Sequence, residues 1–319
     1  MGFKVEFNKE FDKGVCTYYA DVMDEILAKD EMVVTIDADL MGCTGFAPLM
    51  EKYPGRVLQT GIMEANMMSM AGGLSAMGFK PYVATFASFA TRRAFDQIFI
   101  SVNYGKRDIV IFGHACGITT KDNGGTHMPF EDMALMRMIP GGYVIDVVDC
   151  AMLKDVMNKV KDMNGVIYVR GGDPAQKVYA EGSTFEIGKA NLLRDGKDVT
   201  IIACGIMVPT ALEAADVLAK EGIDARVVDM FTIKPLDEEM VIKCAKETGC
   251  IVTAENHSII GGLGEAVAAC LTENAPAPQV RVGVKDEHGE VGDMEYLRKR
   301  FGLTVDDIVA AAKKAVAKK

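Results

Sequence analysis

A carboxylate, two phenylalanines and a histidine follow one another within a single stretch of the chain. Glu64 lies in TGIMEANMMSMAGGLSAMG, Phe86 and Phe89 lie in ATFASFATRRAFDQI, and His127 lies in DNGGTHMPFEDMALMRMIP. A carboxyl group in apolar surroundings can share a proton with a weak base, and aromatic rings form walls on which a flat ring stacks. Together these residue types could form a pocket for a flat ligand, with a histidine nearby to assist proton movement.

Each of these residues also has a simpler interpretation. The helix dipole alone favours a glutamate at a helix start, aromatic residues at strand ends usually belong to the core, and loop histidines are usually just solvated. One apolar stripe, spaced four, three, four and three residues apart, predicts a buried helix face: Met63, Met67, Met70, Leu74 and Met77. The residue pattern therefore predicts the helix and leaves the chemical roles open.

Short apolar runs rich in β-branched residues alternate with helical patterns along the whole chain, which is typical of βαβ units and parallel sheets. In the first half, the predicted strands cover residues 32–37, 82–86, 109–113, 143–147 and 166–169, and the predicted helices cover 18–28, 63–77, 93–103, 130–138 and 151–163. In the second half, the predicted strands cover 199–204, 225–230, 250–255 and 280–284, and the predicted helices cover 209–220, 236–248, 264–272 and 305–317. We therefore expect an α/β fold of two doubly wound domains.

The two domains are predicted to cover residues 1–175 and 191–319. The segment 176–190 between them has turn residues and no sustained helical period, so it is predicted to be a linker.

Length and composition predict a two-domain globular protein of the cytoplasm. The 319 residues, 49% of them hydrophobic, suffice for two cores, and the net charge of −10 argues against a nucleic-acid or anionic-membrane surface. No apolar run approaches the roughly 20 residues of a membrane span, and the N-terminus has no signal-peptide core. The eight cysteines are scattered without a Cys-x-x-Cys pair or zinc spacing, so we expect reduced thiols and no metal ligands on this chain.

The stretch around Glu64, Phe86, Phe89 and His127 closely resembles the pyrimidine-binding domain of transketolase. The remainder resembles the transketolase C-terminal domain, so the resemblance covers almost the whole chain. Transketolases hold magnesium and the diphosphate of thiamine diphosphate with a Gly-Asp-Gly motif, which does not occur in this sequence. The resemblance therefore implies the C-terminal subunit of a split transketolase. Its partner would be an N-terminal subunit that carries the Mg²⁺ and diphosphate site, in an assembly of two copies of each chain.

The resemblance implies cofactor-binding roles for four residues. A glutamate at the position of Glu64 hydrogen-bonds a nitrogen of the aminopyrimidine ring and promotes its imino tautomer. Phe86 and Phe89 match the family's Thr-Phe-x-x-Phe element, which forms the pyrimidine pocket. Asp39, in DADLMGCTG, matches an aspartate near the cofactor.

Substrate-binding roles are implied for several others. His127 lies in a Gly-x-Thr-His-x-Pro element, where it would hydrogen-bond sugar hydroxyls and assist proton transfer, and Arg170 ends a strand where the family's arginine grips the substrate phosphate. His114 matches a sugar-contacting histidine, although the loop after it is one residue longer than usual. Cys43 or Thr44 falls where a serine binds phosphate. One residue is inserted in TRRAFDQ, so neither of its arginines is assigned a role.

Position 123 departs from the family pattern. Family members commonly have an aspartate four residues before the motif histidine, where it contacts a sugar hydroxyl, whereas here the acid is Asp122 and position 123 is Asn123. An amide donates as well as accepts, so we expect altered sugar selectivity. Alternatively, Asp122 takes the usual role and selectivity is ordinary.

The resemblance thus implies thiamine-diphosphate-dependent transfer of a two-carbon ketol unit from a ketose phosphate to an aldose phosphate, with a partner subunit required. Two alternatives remain. The β subunit of a 2-oxoacid dehydrogenase has the same two domains and also lacks the diphosphate motif, although its histidine region typically differs from THMPFEDMAL. A non-catalytic binding or assembly protein could share the fold without the chemistry. The joint presence of the glutamate, both phenylalanines, the histidine and the arginine argues against the latter.

Overall fold

The computed structural model describes residues 2–319 and arranges them around two β-sheets, one of seven strands and one of five. We call the layers around these sheets the first and the second domain. The strands of the first half are β1 (Val33–Asp37), β2 (Val57–Gln59), β3 (Lys80–Phe86), β4 (Ile109–His114), β5 (Tyr143–Asp146) and β6 (Val166–Gly171). Its helices are α1 (Val15–Lys29), α2 (Met41–Thr44), α3 (Ala47–Lys52), α4 (Glu64–Ala76), α5 (Ala87–Thr91), α6 (Phe95–Gln97), α7 (Asp132–Arg137) and α8 (Cys150–Val160).

The strands of the second half are β7 (Asn191–Arg194), β8 (Val199–Ala203), β9 (Ala225–Asp229), β10 (Thr232–Lys234), β11 (Ile251–Ser258) and β12 (Gln279–Val284). Its helices are α9 (Met207–Lys220), α10 (Glu238–Thr248), α11 (Leu263–Asn274), α12 (Met294–Phe301) and α13 (Val305–Val316). The predicted class, α/β with two parallel-dominated sheets, is confirmed.

The first sheet has the strand order β10-β5-β6-β4-β3-β1-β2, in which every pair is parallel except β10 with β5. The second has the order β12-β11-β8-β9-β7, in which only β7 runs antiparallel to its neighbour. Every residue of β1, β4 and β6 is buried. Their continuous apolar runs are explained by this position, because central parallel strands are covered by helices on both faces.

The sequence pattern did not predict the short elements β2, β7, β10, α2 and α3, which span only three to six residues each. Such lengths carry too few residues to show a period. The predicted helix 93–103 begins later and changes type, because α6 continues as a π-helix over Ile98–Tyr104. A π-helix has i→i+5 hydrogen bonds, and a 3.6-residue pattern does not reveal it.

One strand of the second half of the chain completes the sheet of the first half. Strand β10 belongs to the second half of the sequence but pairs with β5 at the edge of the first sheet, with Thr232 opposite Ile145 and Lys234 opposite Val144. Among residues 2–319, no helix is both long and apolar enough to cross a membrane.

Candidate functional site

The carboxyl ends of the central strands of the first sheet bring several of the predicted site residues side by side. Phe86 at the end of β3 is the register partner of His114 at the end of β4, and His114 is in turn opposite Gly171 at the end of β6. The carboxyl edge of a parallel sheet is where α/β proteins place their ligands.

Glu64 is the first residue of α4 and is only 2% exposed. Its Oε1 accepts a hydrogen bond from Nη1 of Arg93 at 2.7 Å, whereas its Oε2 is buried without a partner. A buried carboxylate oxygen usually has a hydrogen-bond donor. The unpartnered Oε2 is therefore available to a ligand that brings a donor of its own.

An aromatic cluster lies at the strand ends and consists of Phe86, Phe89, His114 and His127. The Phe86 ring centroid is 5.9 Å from that of Phe89, 4.8 Å from that of His114 and 5.8 Å from that of His127. His127 meets Phe89 edge-on at 5.0 Å between the centroids. Since both phenylalanines are only partly buried, they offer surface on which a flat ring can stack.

Arg93 connects the aromatic cluster to the carboxylate. Its guanidinium carbon lies 3.9 Å from the centroid of the Phe89 ring, while its Nη1 donates to Glu64. One arginine thus touches a wall of the cluster and the buried acid at once, which brings Glu64 into the same site.

The two histidines of the cluster differ in burial. His114 is buried, and desolvation lowers its pKa to about 3, so the ring is neutral at physiological pH. Its Nε2 is buried without a partner. His127 is half-buried, and its Nδ1 lies 2.9 Å from the hydroxyl of Thr126, which leaves Nε2 free for another group.

The loop that carries His127 is anchored from the first domain by Arg92. This arginine donates from Nη2 to the Thr126 carbonyl at 2.8 Å, and its Nη1 is 3.0 Å from Oε1 of Glu131. Asp122 and Asn123, earlier in the loop, are both exposed. The Asn123 backbone N–H donates to the Thr120 carbonyl at 2.8 Å, which closes a turn beneath the two side chains.

The residues after β1 are divided between exposed and buried positions. Asp39 and Cys43 are exposed and remain available to a ligand. Thr44 is buried, and its hydroxyl donates to Oδ2 of Asp37 at 3.2 Å. The expected substrate contact of Thr44 is therefore corrected, because its only hydroxyl proton is already used inside the protein.

The expected role of Arg170 is also corrected. Its side chain is 0% exposed, with Nε 2.8 Å from Oδ2 of Asp132 and Nη1 3.1 Å from Oδ2 of Asp146. Nη2 donates to the Asn256 carbonyl at 3.1 Å. Burial alone would lower the pKa of Arg170, but the two carboxylates raise it, so the guanidinium stays charged. Because the Arg170 side chain is fully buried between two carboxylates, the structure does not place it where a substrate phosphate would reach it.

Sequence reasoning therefore missed Arg93 as a site residue and Asp132 and Asp146 as the partners of Arg170. The two arginines of TRRAFDQ are adjacent in sequence, but only the fold shows that one contacts Glu64 and the other the His127 loop. The aspartates gave no local signal, because their partner lies 38 and 24 residues further along the chain.

Family comparisons agree with both halves of the chain. The model described as "Transketolase, pyrimidine binding domain" matches residues 14–171, and the one described as "Transketolase, C-terminal domain" matches residues 188–308.

Individual relatives are similar over nearly their whole length. The 6-deoxy-6-sulfo-D-fructose transketolase subunit SqwH of Clostridium sp. (strain MSTE9) is 46% identical over 302 residues, which is 94% of each chain. A subunit of the apulose-4-phosphate transketolase of Phocaeicola vulgatus is 33% identical over 302 residues, covering 94% of this chain and 96% of that one. The solved structure of a split-gene transketolase, described as an inactive beta4 tetramer, superposes with a TM-score of 0.88 at 40% identity, covering 97% of this chain and 99% of the other.

Proposed function

Because the chain belongs to the transketolase family, we propose that it is one subunit of a two-chain enzyme that transfers a ketol unit between sugars with thiamine diphosphate. The observation that carries the proposal is the buried Glu64 carboxylate, with one oxygen unpartnered, next to an aromatic cluster at the carboxyl edge of a parallel sheet. When bound, thiamine diphosphate supplies the nucleophilic carbon and the electron sink for the reaction.

The residues present fit the pyrimidine ring of this cofactor. A flat, partly apolar ring needs a stacking surface, and Phe86 and Phe89 provide one. A ring nitrogen needs a partner that can share a proton, and Oε2 of Glu64 is buried without one. Asp39, exposed just beyond β1, is a further candidate for a cofactor contact.

Residues of this chain provide the remaining hydrogen bonds and proton transfers. Glu64 holds a proton at the ring nitrogen, and Arg93 fixes the orientation of the carboxylate through Oε1. His127 has Nε2 free to hydrogen-bond a sugar hydroxyl and to move a proton there. His114, kept neutral by burial, offers a hydrogen bond without adding charge to the site.

Two observations support a partner subunit. Exposed apolar side chains precede Glu64 and lie on the π-helix that packs against α4. Ile62 is 70% and Met63 is 55% exposed directly before Glu64, and Ile100 is 54% exposed on the π-helix. We call Ile62, Met63 and Ile100 the α4 surface. An apolar surface of this kind beside a site marks an interface. The sequence also lacks the Gly-Asp-Gly motif. We therefore propose that the partner provides the Mg²⁺ and diphosphate contacts, in an assembly of two copies of each chain.

Mixing the chain with a Gly-Asp-Gly-bearing partner tests the function directly. We expect no ketol transfer from this chain alone, and activity on mixing with thiamine diphosphate and Mg²⁺. Ile100→Asp should abolish complex formation, because a carboxylate on the α4 surface would lose its water on binding. Met32→Asp, which alters a 42% exposed methionine before β1, serves as the control. Robust turnover by the isolated chain, or complex formation by Ile100→Asp equal to that of Met32→Asp, would contradict the proposal.

The sugar donor is proposed to be a ketose with a terminal anionic group. Support comes from two relatives, whose names specify a sulfonated fructose and a phosphorylated apulose. Asn123 fits such a substrate, since an exposed amide adds no negative charge to the loop beside His127. The enzyme is proposed to work in the cytoplasm, which its eight free cysteines support.

Asn123→Asp should shift the sugar preference by about tenfold in kcat/KM, the scale of one hydrogen bond to a charged group. We expect the shift to favour ketoses without a terminal anion, because the new carboxylate repels one. A panel of sulfonated, phosphorylated and neutral ketoses measures it. Asp122→Asn tests the alternative, in which the neighbouring exposed acid contacts the sugar; it should leave the ranking unchanged if Asn123 sets the preference. The prediction is wrong if Asn123→Asp leaves the ranking of the panel unchanged.

A further inference from the structure

We propose that the second domain positions the substrate loops of the first, and that Asn256 and Gly289 are its positioning residues. This inference rests on the proposed function, because it takes the loops after His114 and around His127 to be the ones that meet the sugar. Neither residue belongs to the aromatic cluster or to the contacts of Glu64.

Asn256, near the end of β11, holds the turn that follows His114. Its side chain is 1% exposed; Oδ1 accepts from the Ile118 N–H at 3.0 Å, and Nδ2 donates to the Cys116 carbonyl at 3.1 Å. A Cβ atom at Gly117, where φ is +53°, would overlap this carboxamide. The turn therefore packs directly against the side-chain amide of Asn256 in the second domain.

The turn that Asn256 holds is continuous with the loop that carries Asn123 and His127. Residues Gly117–Thr120 form a 3₁₀ turn, and the Thr120 carbonyl accepts the N–H of Asn123. Asn256 thus holds the start of the segment that leads to Asn123. A shift of this turn would move Asn123 with it.

Gly289, in the segment between β12 and α12, makes the second contact. A Cβ atom there would lie 2.6 Å from Sδ of Met128 and 3.0 Å from Cα of Gly125, so only glycine lets the two backbones approach this closely. Met128 and Gly125 flank His127 on both sides. The same segment donates a hydrogen bond from the Gly292 N–H to the Lys121 carbonyl at 3.3 Å.

These contacts add to the anchor that Arg92 gives the His127 loop from the first domain. The stretch from Lys121 to Thr126 contains two glycines, and four of its six residues are exposed, so it has few packing contacts to fix one conformation. Small displacements matter at such a place, because misplacing a reacting or orienting group by about 1 Å can lower the rate by about 10²-fold. The second domain thereby acts on the sugar through the loops, without touching it.

Asn256→Ala and Gly289→Ala test the proposal in the assembled enzyme. The first removes both side-chain hydrogen bonds, and the second adds one methyl group that pushes against Met128 and Gly125 on either side of His127. Asn191→Ala is the matched control, since Asn191 is also a buried amide of the second domain, bonded to Tyr179 at 3.1 Å and Asp229 at 3.3 Å and not to the loops.

Two readouts separate positioning from general weakening. Hydrogen–deuterium exchange followed by mass spectrometry should show faster exchange of residues 115–128 in both variants and wild-type exchange there in Asn191→Ala. KM for the ketose should rise by about tenfold or more in both variants, in line with loss of loop placement, while thiamine diphosphate affinity by calorimetry stays within twofold of wild type. If Asn256→Ala does not fold, Gly289→Ala decides the outcome.

Faster exchange over residues 115–128 without a rise in KM would overturn the positioning role, and so would unchanged exchange in both variants. An equal rise in KM for Asn191→Ala would also overturn it, since the effect would then be a general one. Absence of ketol transfer in the wild-type assembly would instead refute the proposed function. The exchange data would in that case still decide whether the second domain orders these loops.

Discussion

Replacing Glu64 by glutamine should lower ketol transfer by the assembled enzyme by about 10²–10⁴-fold, the usual contribution of a positioned acid or base. Glutamine preserves the shape of the side chain, and its carbonyl oxygen can still accept from Arg93. Its amide, however, cannot take up and release a proton at Oε2, the oxygen that the fold leaves buried without a partner. Fold and assembly should therefore persist while turnover is lost.

Initial rates with a ketose donor and an aldose acceptor measure the loss. Deuterium exchange at the reactive carbon of bound thiamine diphosphate, followed by NMR, should slow in parallel, which separates proton management from sugar binding. Glu51→Gln, an exposed glutamate in α3, is the control and should behave as wild type. Exchange at the wild-type rate in the Glu64 variant would remove this residue from the mechanism.

Arg170→Met should destabilise the chain by about 3–5 kcal/mol, the cost of breaking a buried ion pair by removing one partner. The substitution fills a similar volume but leaves the carboxylates of Asp132 and Asp146 buried without the positive charge that they face. Urea unfolding of the chain, monitored by circular dichroism, measures the change. Arg194→Met, which removes a partly exposed pair with Asp216, should cost about 1 kcal/mol or less.

Arg170→Met also distinguishes a structural role of Arg170 from a role in substrate binding. If enough of it folds to assay, KM should change equally for sugars with and without a terminal anion. A stability of Arg170→Met within about 1 kcal/mol of wild type, combined with a selective rise in KM for anionic sugars, would contradict the structural role. It would support the hypothesis that Arg170 contacts the substrate phosphate.

Local pattern was sufficient for most strands and long helices, but not for the buried face of α4: Met63 and Met77 of the predicted buried stripe are 55% and 74% exposed. It was also sufficient for some residues whose environment their own segment determines. Phe86 is an example: it ends a strand, and a strand of the first sheet must end at the carboxyl edge where the cluster forms. Arg170 also ends a strand, yet its environment depends on Asp132, Asp146 and Asn256, which come from three other segments. No spacing rule connects such residues, so its burial could not be predicted.

The short elements could not be predicted from the sequence for a related reason. Strand β10 has only three residues and pairs with a strand nearly 90 residues away, so neither its period nor its partner is visible in the sequence. The Arg93 contact to Glu64 is similarly a product of packing between α4 and the chain after α5.

Strand β10 also determines how this chain can be divided. A fragment that ended within residues 176–190 would leave β5 as an open edge, with N–H and C=O groups that another molecule can pair with. We expect such a fragment to aggregate, although the cut would fall in an apparent linker. Recombination or protein engineering that exchanges one half for a homologous half must therefore carry β10 with the first sheet or preserve its pairing with β5. In evolution and in protein engineering, we expect the two domains to be exchanged together as one unit.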